Sequence, residues 1–165
     1  IIFQNEIDLN AMFVLNEQLC LEKNSPYDLM ILAPHNDELN KIEEKLNNWG
    51  YKTYNGGTDN RAKEFPTDEF RLLNYNSCRG LEAWIVICWN LDIYLDVIAK
   101  YYLHPPNASF TIIEGIEMEQ NKWLFMIFTR AIDTLVITFD DKNSIIAKNI
   151  ITLAESCFQG IVEWY

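Results

Sequence analysis

Apolar residues recur with helical spacing over residues 7–21, where Leu9, Met12, Leu15 and Leu19 form a stripe flanked by Phe13 and Cys20. Asn24-Ser25-Pro26 ends that helix. A continuous apolar run then covers 29–33 and stops at Pro34, the pattern of a parallel strand buried on both faces. Helical spacing returns over 37–49, with Leu39, Ile42, Leu46 and Trp49 on one face and Gly50 as C-terminal cap. Residues 51–54 read as a strand. The Asn55-Gly56-Gly57-Thr58-Asp59-Asn60 stretch reads as a turn that continues as polar chain to about Asp68. Two further strands are expected over 70–75 and 84–89.

A helix follows over 91–103, stopped by His104-Pro105-Pro106. The stretch 107–115 stays open between a short strand at Phe110-Thr111-Ile112-Ile113 and a packed loop. Over 117–131 the apolar residues surround nearly the whole circumference of a predicted helix, which implies burial among other elements. A strand over 134–139 and an amphipathic helix over about 144–158 complete the pattern. Strands alternating with helices predict an α/β fold, a mostly parallel sheet with helices on both faces. The opening Ile1-Ile2-Phe3 reads as the middle of a strand, so the 165 residues are expected to form a single domain cut from a longer protein.

Composition narrows the class. Apolar residues make up 49% of the chain and aromatic ones 13%, enough for one core and unlike a disordered segment. The net charge of -11 argues against a free-standing nucleic-acid binder, while leaving room for a locally basic groove within a larger protein. Cys20, Cys78, Cys88 and Cys157 show no CxxC spacing and lie in or beside apolar segments, as reduced core thiols of a cytoplasmic protein would. Two histidines are too few for a His-rich metal site, and no metal site is expected. No apolar run reaches membrane-spanning length, no signal peptide is visible, and no membrane contact is expected.

Two phrases set charge beside core. Arg79-Gly80-Leu81-Glu82 precedes the apolar run 84–89, and Thr129-Arg130-Ala131 follows the apolar run 123–128. An unpaired charge buried there would be costly, so a polar ligand at one rim of the sheet is the natural reading. Open α/β sheets bind ligands beyond the carboxyl ends of their strands. Pro34-His35-Asn36, the loop 76–82 and Thr129-Arg130 are all expected at that rim. Gly80 would let backbone approach a phosphate or ribose closely, Glu82 could accept from sugar hydroxyls, and Arg79 could meet a phosphate. Arg130 has a planar fork suited to phosphate oxygens.

Plainer roles stay open beside these. Arg130 can stabilise a helix end and pair with Asp133, Glu82 can be a solvated carboxylate, and Arg79 can pair with a surface acid. His35 reads as a helix-start or loop residue, Trp123, Phe125 and Phe128 as core, and Glu114, Glu117 and Glu119 as a solvated helix start. Gly56-Gly57 reads as a turn with no phosphate-loop context.

Three of these segments, in order, resemble motifs of superfamily 1 helicases of the UvrD/Rep type. Leu29-Met30-Ile31-Leu32-Ala33-Pro34-His35-Asn36, followed by a helix ending at Gly50, resembles motif IV. Asn74-Tyr75-Asn76-Ser77-Cys78-Arg79-Gly80-Leu81-Glu82, followed by Val86, resembles motif V, usually Thr-x-His-x-x-Lys-Gly-Leu-Glu. Lys122-Trp123-Leu124-Phe125-Met126-Ile127-Phe128-Thr129-Arg130-Ala131, followed by Leu135, is similar to motif VI, usually Arg-Leu-x-Tyr-Val-Ala-x-Thr-Arg-Ala. The resemblance spans roughly residues 7–139. It implies a RecA-like, P-loop NTPase-like fold and the C-terminal motor domain of an ATP-dependent DNA helicase. The chain has no GxxxxGK[ST] loop and no Asp-Glu magnesium box, so the phosphate-binding half of the site would belong to another domain.

On this resemblance Arg130 matches the catalytic arginine finger, and Glu82 matches the ribose-binding glutamate. Gly80, Arg79 and Thr129 complete the ATP-binding residues, and Asn74, Asn76 and Ser77 fall where the family contacts single-stranded DNA. The implied cofactors are ATP and Mg2+ in the full-length protein, neither held tightly by this chain alone. The implied partners are an N-terminal RecA-like motor domain of the same protein and single-stranded DNA. Ala33 and Pro34 stand where motif IV usually brings an aromatic residue and an arginine, and Asn74 and Asn76 replace the usual threonine and histidine. Arg79 in place of lysine keeps the charge. The loop 55–68 is too short for a large inserted subdomain, which points to the compact branch. The alternative function is a RecA-like domain that has lost the motor role and serves as a protein-interaction module.

Overall fold

Five consecutive apolar residues cannot alternate between core and solvent, so Leu29–Ala33 demands apolar cover on both sides. The computed structural model supplies it. It describes residues 2–4, 28–58, 68–102, 111–157 and 163–164. The helix predicted over 7–21, the polar stretch 59–67 and the His104-Pro105-Pro106 stop lie outside those residues. The described elements are β1 (Ile2–Gln4), β2 (Leu29–Ala33), α1 (Asn36–Asn48), β3 (Thr53–Asn55), β4 (Phe70–Asn74) and a 3-10 turn (Tyr75–Ser77). They continue with β5 (Ala83–Cys88), α2 (Leu91–Tyr102), α3 (Ile112–Phe128), β6 (Ala131–Thr138), α4 (Ile145–Cys157) and β7 (Glu163–Trp164). The strands form one sheet in the order β3-β4-β2-β5-β6-β1-β7. Every neighbouring pair is parallel. This is the α/β, RecA-like arrangement that the sequence predicts.

Side-chain alternation divides the core into two layers. Leu29, Ile31 and Ala33 of β2 join Ile85, Ile87 and Val136 beneath Leu39, Ile42 and Leu46 of α1. Met30 and Leu32 point the other way and join Val86, Cys88, Leu135 and Ile137 under residues of α2, α3 and α4. Gly50 takes φ 86°, the left-handed value that ends a helix without strain on a side chain. Trp49, expected on the buried face of α1, caps its C-terminus and is 48% exposed, because the helix ends at Asn48 before its stripe reaches that position.

Helix α3 departs from expectation at both ends. Thr111 and Glu114 form a capping box, so the helix begins at Ile112, within the stretch left open between strand and loop. It ends at Phe128, and Ala131 already pairs with Ala83 in the sheet. Its burial is one-sided: Trp123, Leu124 and Ile127 enter the core, whereas Ile113, Met118 and Phe125 are exposed, Phe125 at 74%. Only one stripe of a helix lying on a sheet can reach that sheet, however apolar the rest of its surface is. Strand β1 matches the reading of Ile1-Ile2-Phe3, and β7 had no signal in the sequence.

The connection that positions the candidate site is the loop 75–82. Asn74 at the end of β4 pairs with Ala33 at the end of β2, whereas Ala83 at the start of β5 lies one residue pair before the level of Leu29. A parallel crossover must therefore return about 20 Å along the sheet in eight residues, with no helix to carry it. Tyr75 and Cys78 anchor that return in the layer shared with α2 and α3.

Candidate functional site

The return of the loop separates the residues expected at one rim. Pro34-His35-Asn36 and Asn74 to Ser77 lie at the carboxyl ends of β2 and β4. Gly80 to Glu82 and Thr129-Arg130 lie at the amino ends of β5 and β6, on the opposite rim. The expectation of a single carboxyl rim is thus corrected. In a parallel sheet, a loop entering a strand and a helix ending before one both deliver their residues to the amino end.

At the amino rim the two charged phrases meet. The Ala83 amide donates to the Arg130 carbonyl (3.0 Å), which joins the starts of β5 and β6. The Arg130 side chain donates from Nη1 to the Leu81 carbonyl (3.1 Å), from Nε to the Met126 carbonyl (2.9 Å) and from Nη2 to the Thr129 hydroxyl (3.0 Å). The Met126 carbonyl belongs to the last turn of α3, so Arg130 does complement the helix end. The Asp133 carboxylate, a possible partner, accepts from the Thr134 hydroxyl instead (2.7 Å). Gly80 has φ 76° and open space where a Cβ would stand, so the turn needs glycine for its backbone conformation. Glu82 is exposed beside it, with no side-chain partner among the described residues. Arg79 lies over the Trp123 ring, 4.7 Å from its centroid.

At the carboxyl rim an open cleft of about 490 Å³ is lined by Pro34, His35, Asn36, Asp37, Asn74, Asn76 and Ser77. Asn74 donates to the Asn36 side-chain oxygen, and Asn36 donates to the Gly57 carbonyl (3.4 Å), so these two amides hold the cleft wall together. Asn76 and Ser77 are exposed. Asp37 is the one acidic residue of the lining, and no lysine or arginine joins it.

Between the rims runs a ladder that sequence reasoning missed. The Tyr75 and Tyr94 rings stack at 4.5 Å, Tyr94 meets Trp123 edge-on at 5.5 Å, and Arg79 lies over the same indole. The Tyr94 hydroxyl donates to Asn76 Oδ1 (2.9 Å), and the Tyr75 hydroxyl donates to the Trp89 carbonyl (2.9 Å). Burial pushes both phenols upward, so both stay protonated donors. A second knot ties the carboxyl ends of β5 and β6. Asn90, at φ 48°, donates its amide N–H to the Thr138 hydroxyl and its side chain to Glu38, while buried Asp92 accepts from the backbone of Asp140 and Asp141 (2.9 and 3.0 Å). The only sequence signal for these groups was aromatic and acidic residues inside expected helix and loop segments, with nothing to pair them.

The remaining expectations fall as follows. Cys78 and Cys88 are free and buried, as expected of core thiols; Cys20 and the Cys157 side chain lie outside the described residues. Trp123 is core and Phe128 packs against it, but Phe125 is exposed. Glu114 serves the helix cap, and Glu119 pairs with Lys122 (3.2 Å). Among the described residues no cluster of His, Cys, Asp and Glu is placed to hold a metal ion, and no helix is long and apolar enough to cross a membrane.

No protein family matches the sequence, and no curated protein matches it either. A solved structure does share the fold. The crystal structure of the C-terminal domain of a possible DNA helicase from Lactobacillus plantarum WCFS1 superposes with a TM-score of 0.57, covering 99% of this chain and 82% of that chain at 14% identity.

Proposed function

We propose that this chain is the second, C-terminal motor domain of an ATP-dependent DNA helicase of superfamily 1, with Arg130 as its arginine finger. The observation that carries the reading is the bond from Arg130 to the Leu81 carbonyl. It brings the Arg-Gly-Leu-Glu and Thr-Arg-Ala phrases, 49 residues apart, to one rim. The shared fold with a domain described as part of a possible DNA helicase supports the same reading.

ATP would lie between this rim and the preceding motor domain, which would supply the phosphate-binding loop and hold Mg2+. Glu82, exposed and unpartnered among the described residues, would accept from the ribose hydroxyls. Arg130 would exchange the Leu81 carbonyl for a γ-phosphate oxygen and neutralise charge that grows in the transition state. The single strand would pass the opposite rim at Asn76 and Ser77, where the cleft lining carries only one acid despite the acidity of the whole chain. The experiment is Arg130→Ala in the full-length protein. DNA-stimulated ATP hydrolysis should fall by about 10³-fold or more. Unchanged hydrolysis, or a full-length chain with no upstream phosphate-binding loop, would sink the proposal.

A second reading, a RecA-like domain retained as a protein-interaction module, is favoured by Ala33 and Pro34 at the motif IV position and by the net charge of -11. The same Arg130→Ala measurement separates the two, because an interaction module would show no ATPase to lose.

A further inference from the structure

The Tyr94 hydroxyl reaches from α2 into the candidate strand-binding rim. It donates to Asn76 Oδ1 at 2.9 Å. Tyr94 itself is only 4% exposed, and its ring is held by the Tyr75 ring on one side (4.5 Å) and the Trp123 ring on another (5.5 Å). A phenol clamped in this way holds its oxygen in one place, so the Asn76 amide has a partner of fixed position to orient it. With one lone pair of the oxygen engaged by Tyr94, the exposed Asn76 side chain has both N–H groups left to offer a ligand. Asn74, its neighbour on the rim, already donates to Asn36.

We infer that Tyr94 is a positioning residue that turns Asn76 into a fixed donor for an acceptor atom of the ligand, a phosphodiester oxygen of a single strand. The inference rests on the reading of this rim as the strand-binding face. It aims a donor at an acceptor atom at this one position of the rim. A short side chain held from behind also loses little freedom on binding, so its hydrogen bond costs less ordering than one from a mobile lysine. Tyr94 touches no ligand and acts through Asn76.

The test uses the full-length protein and a fluorescein-labelled oligothymidylate, with binding followed by anisotropy and ATPase followed against oligonucleotide concentration. Tyr94→Phe keeps both ring contacts and removes only the hydroxyl. It should weaken binding about 3- to 10-fold, the worth of one hydrogen bond. The ATPase kcat at saturating oligonucleotide should stay unchanged. Asn76→Asp keeps the acceptor for Tyr94 but removes the outward donors, and should weaken binding by about tenfold or more. In an Asn76→Ala background Tyr94→Phe should add nothing. If the Asn76 variants leave affinity unchanged, the strand-binding reading of the rim fails and this inference with it. If they weaken binding while Tyr94→Phe does not, or adds in full to Asn76→Ala, the inference fails and the rim reading stands. Should Tyr94→Phe lower the melting temperature, Asn76→Gln takes its place: it moves the amide off the hydroxyl without touching the core. The same loss is then expected, and undiminished binding overturns the inference.

Discussion

Arg130 and Cys78 show how neighbouring atoms set what a side chain can do. Arginine carries five N–H groups, and Arg130 directs three of them to oxygens of its own chain. Two of those acceptors are backbone carbonyls on different segments, so the side chain is held in register with both charged phrases while staying partly accessible. In the proposed finger role it would have to break one bond, to the Leu81 carbonyl, before meeting an anion. Cys78 is the opposite case. It lies on the same loop, wholly buried, with Sγ against the Tyr75 carbonyl (3.1 Å) and the Met126 sulfur (3.7 Å). Burial pushes its thiol up to about 11, against a smaller downward pull from Arg130 and Arg79. A raised value means the neutral thiol dominates through pH 8, and the reactive thiolate appears only as pH approaches 11. Alkylation of the native protein by iodoacetamide at pH 8, followed by peptide mapping, should therefore modify Cys78 about 100-fold more slowly than an unburied thiol. Labelling at the rate of a free cysteine would show that the loop does not pack as described.

The elements of this chain were legible in proportion to how local their causes are. The run 29–33 was readable as a buried parallel strand because both its sides are apolar, the apolar run 84–89 as a strand, and the stripe of Leu39, Ile42 and Leu46 as a helix face. The start of α3 was not, because it depends on a capping box between Thr111 and Glu114 that competes with the strand-like Phe110-Thr111-Ile112-Ile113. Its exposed face was misread for a different reason: periodicity reports which residues are apolar, not how many sides of a helix find a neighbour. The knot at Asp92 was invisible, since it joins the first turn of α2 to the turn after β6. Asp92→Ala would leave the Asp140 and Asp141 amides without the acceptor that Asp92, itself 6% exposed, supplies to both. It should cost about 2–3 kcal/mol, read as a lower denaturant midpoint with an unchanged slope. A shift under a few tenths of a kcal/mol would mean that solvent replaces those bonds.

At the scale of the whole molecule, the parallel sheet keeps its two candidate contact regions apart. Glu82 and Arg130 lie at the amino rim, Asn76 and Ser77 at the carboxyl rim, and the loop 75–82 contributes to both. The two regions should therefore fail separately. In the full-length protein Glu82→Ala is expected to raise the KM for ATP several-fold while leaving oligonucleotide affinity within about twofold. Ser77→Ala is expected to weaken oligonucleotide affinity and leave the KM for ATP in place. Titrations of both variants with both ligands check this, and a variant that shifts both constants equally would contradict the separation.

The sequence by itself determined the order of the described strands and helices from β2 to α4, the two-sided burial of β2 and the identity of the charged phrases. Each of these depends on residues close together along the chain. Only the tertiary structure decided that the charged phrases share the amino rim, that Asn74 to Ser77 face the opposite one, and that Tyr94 reaches Asn76. Those facts follow from strand direction and register, and from side chains meeting across 18 to 49 residues, which no local pattern encodes.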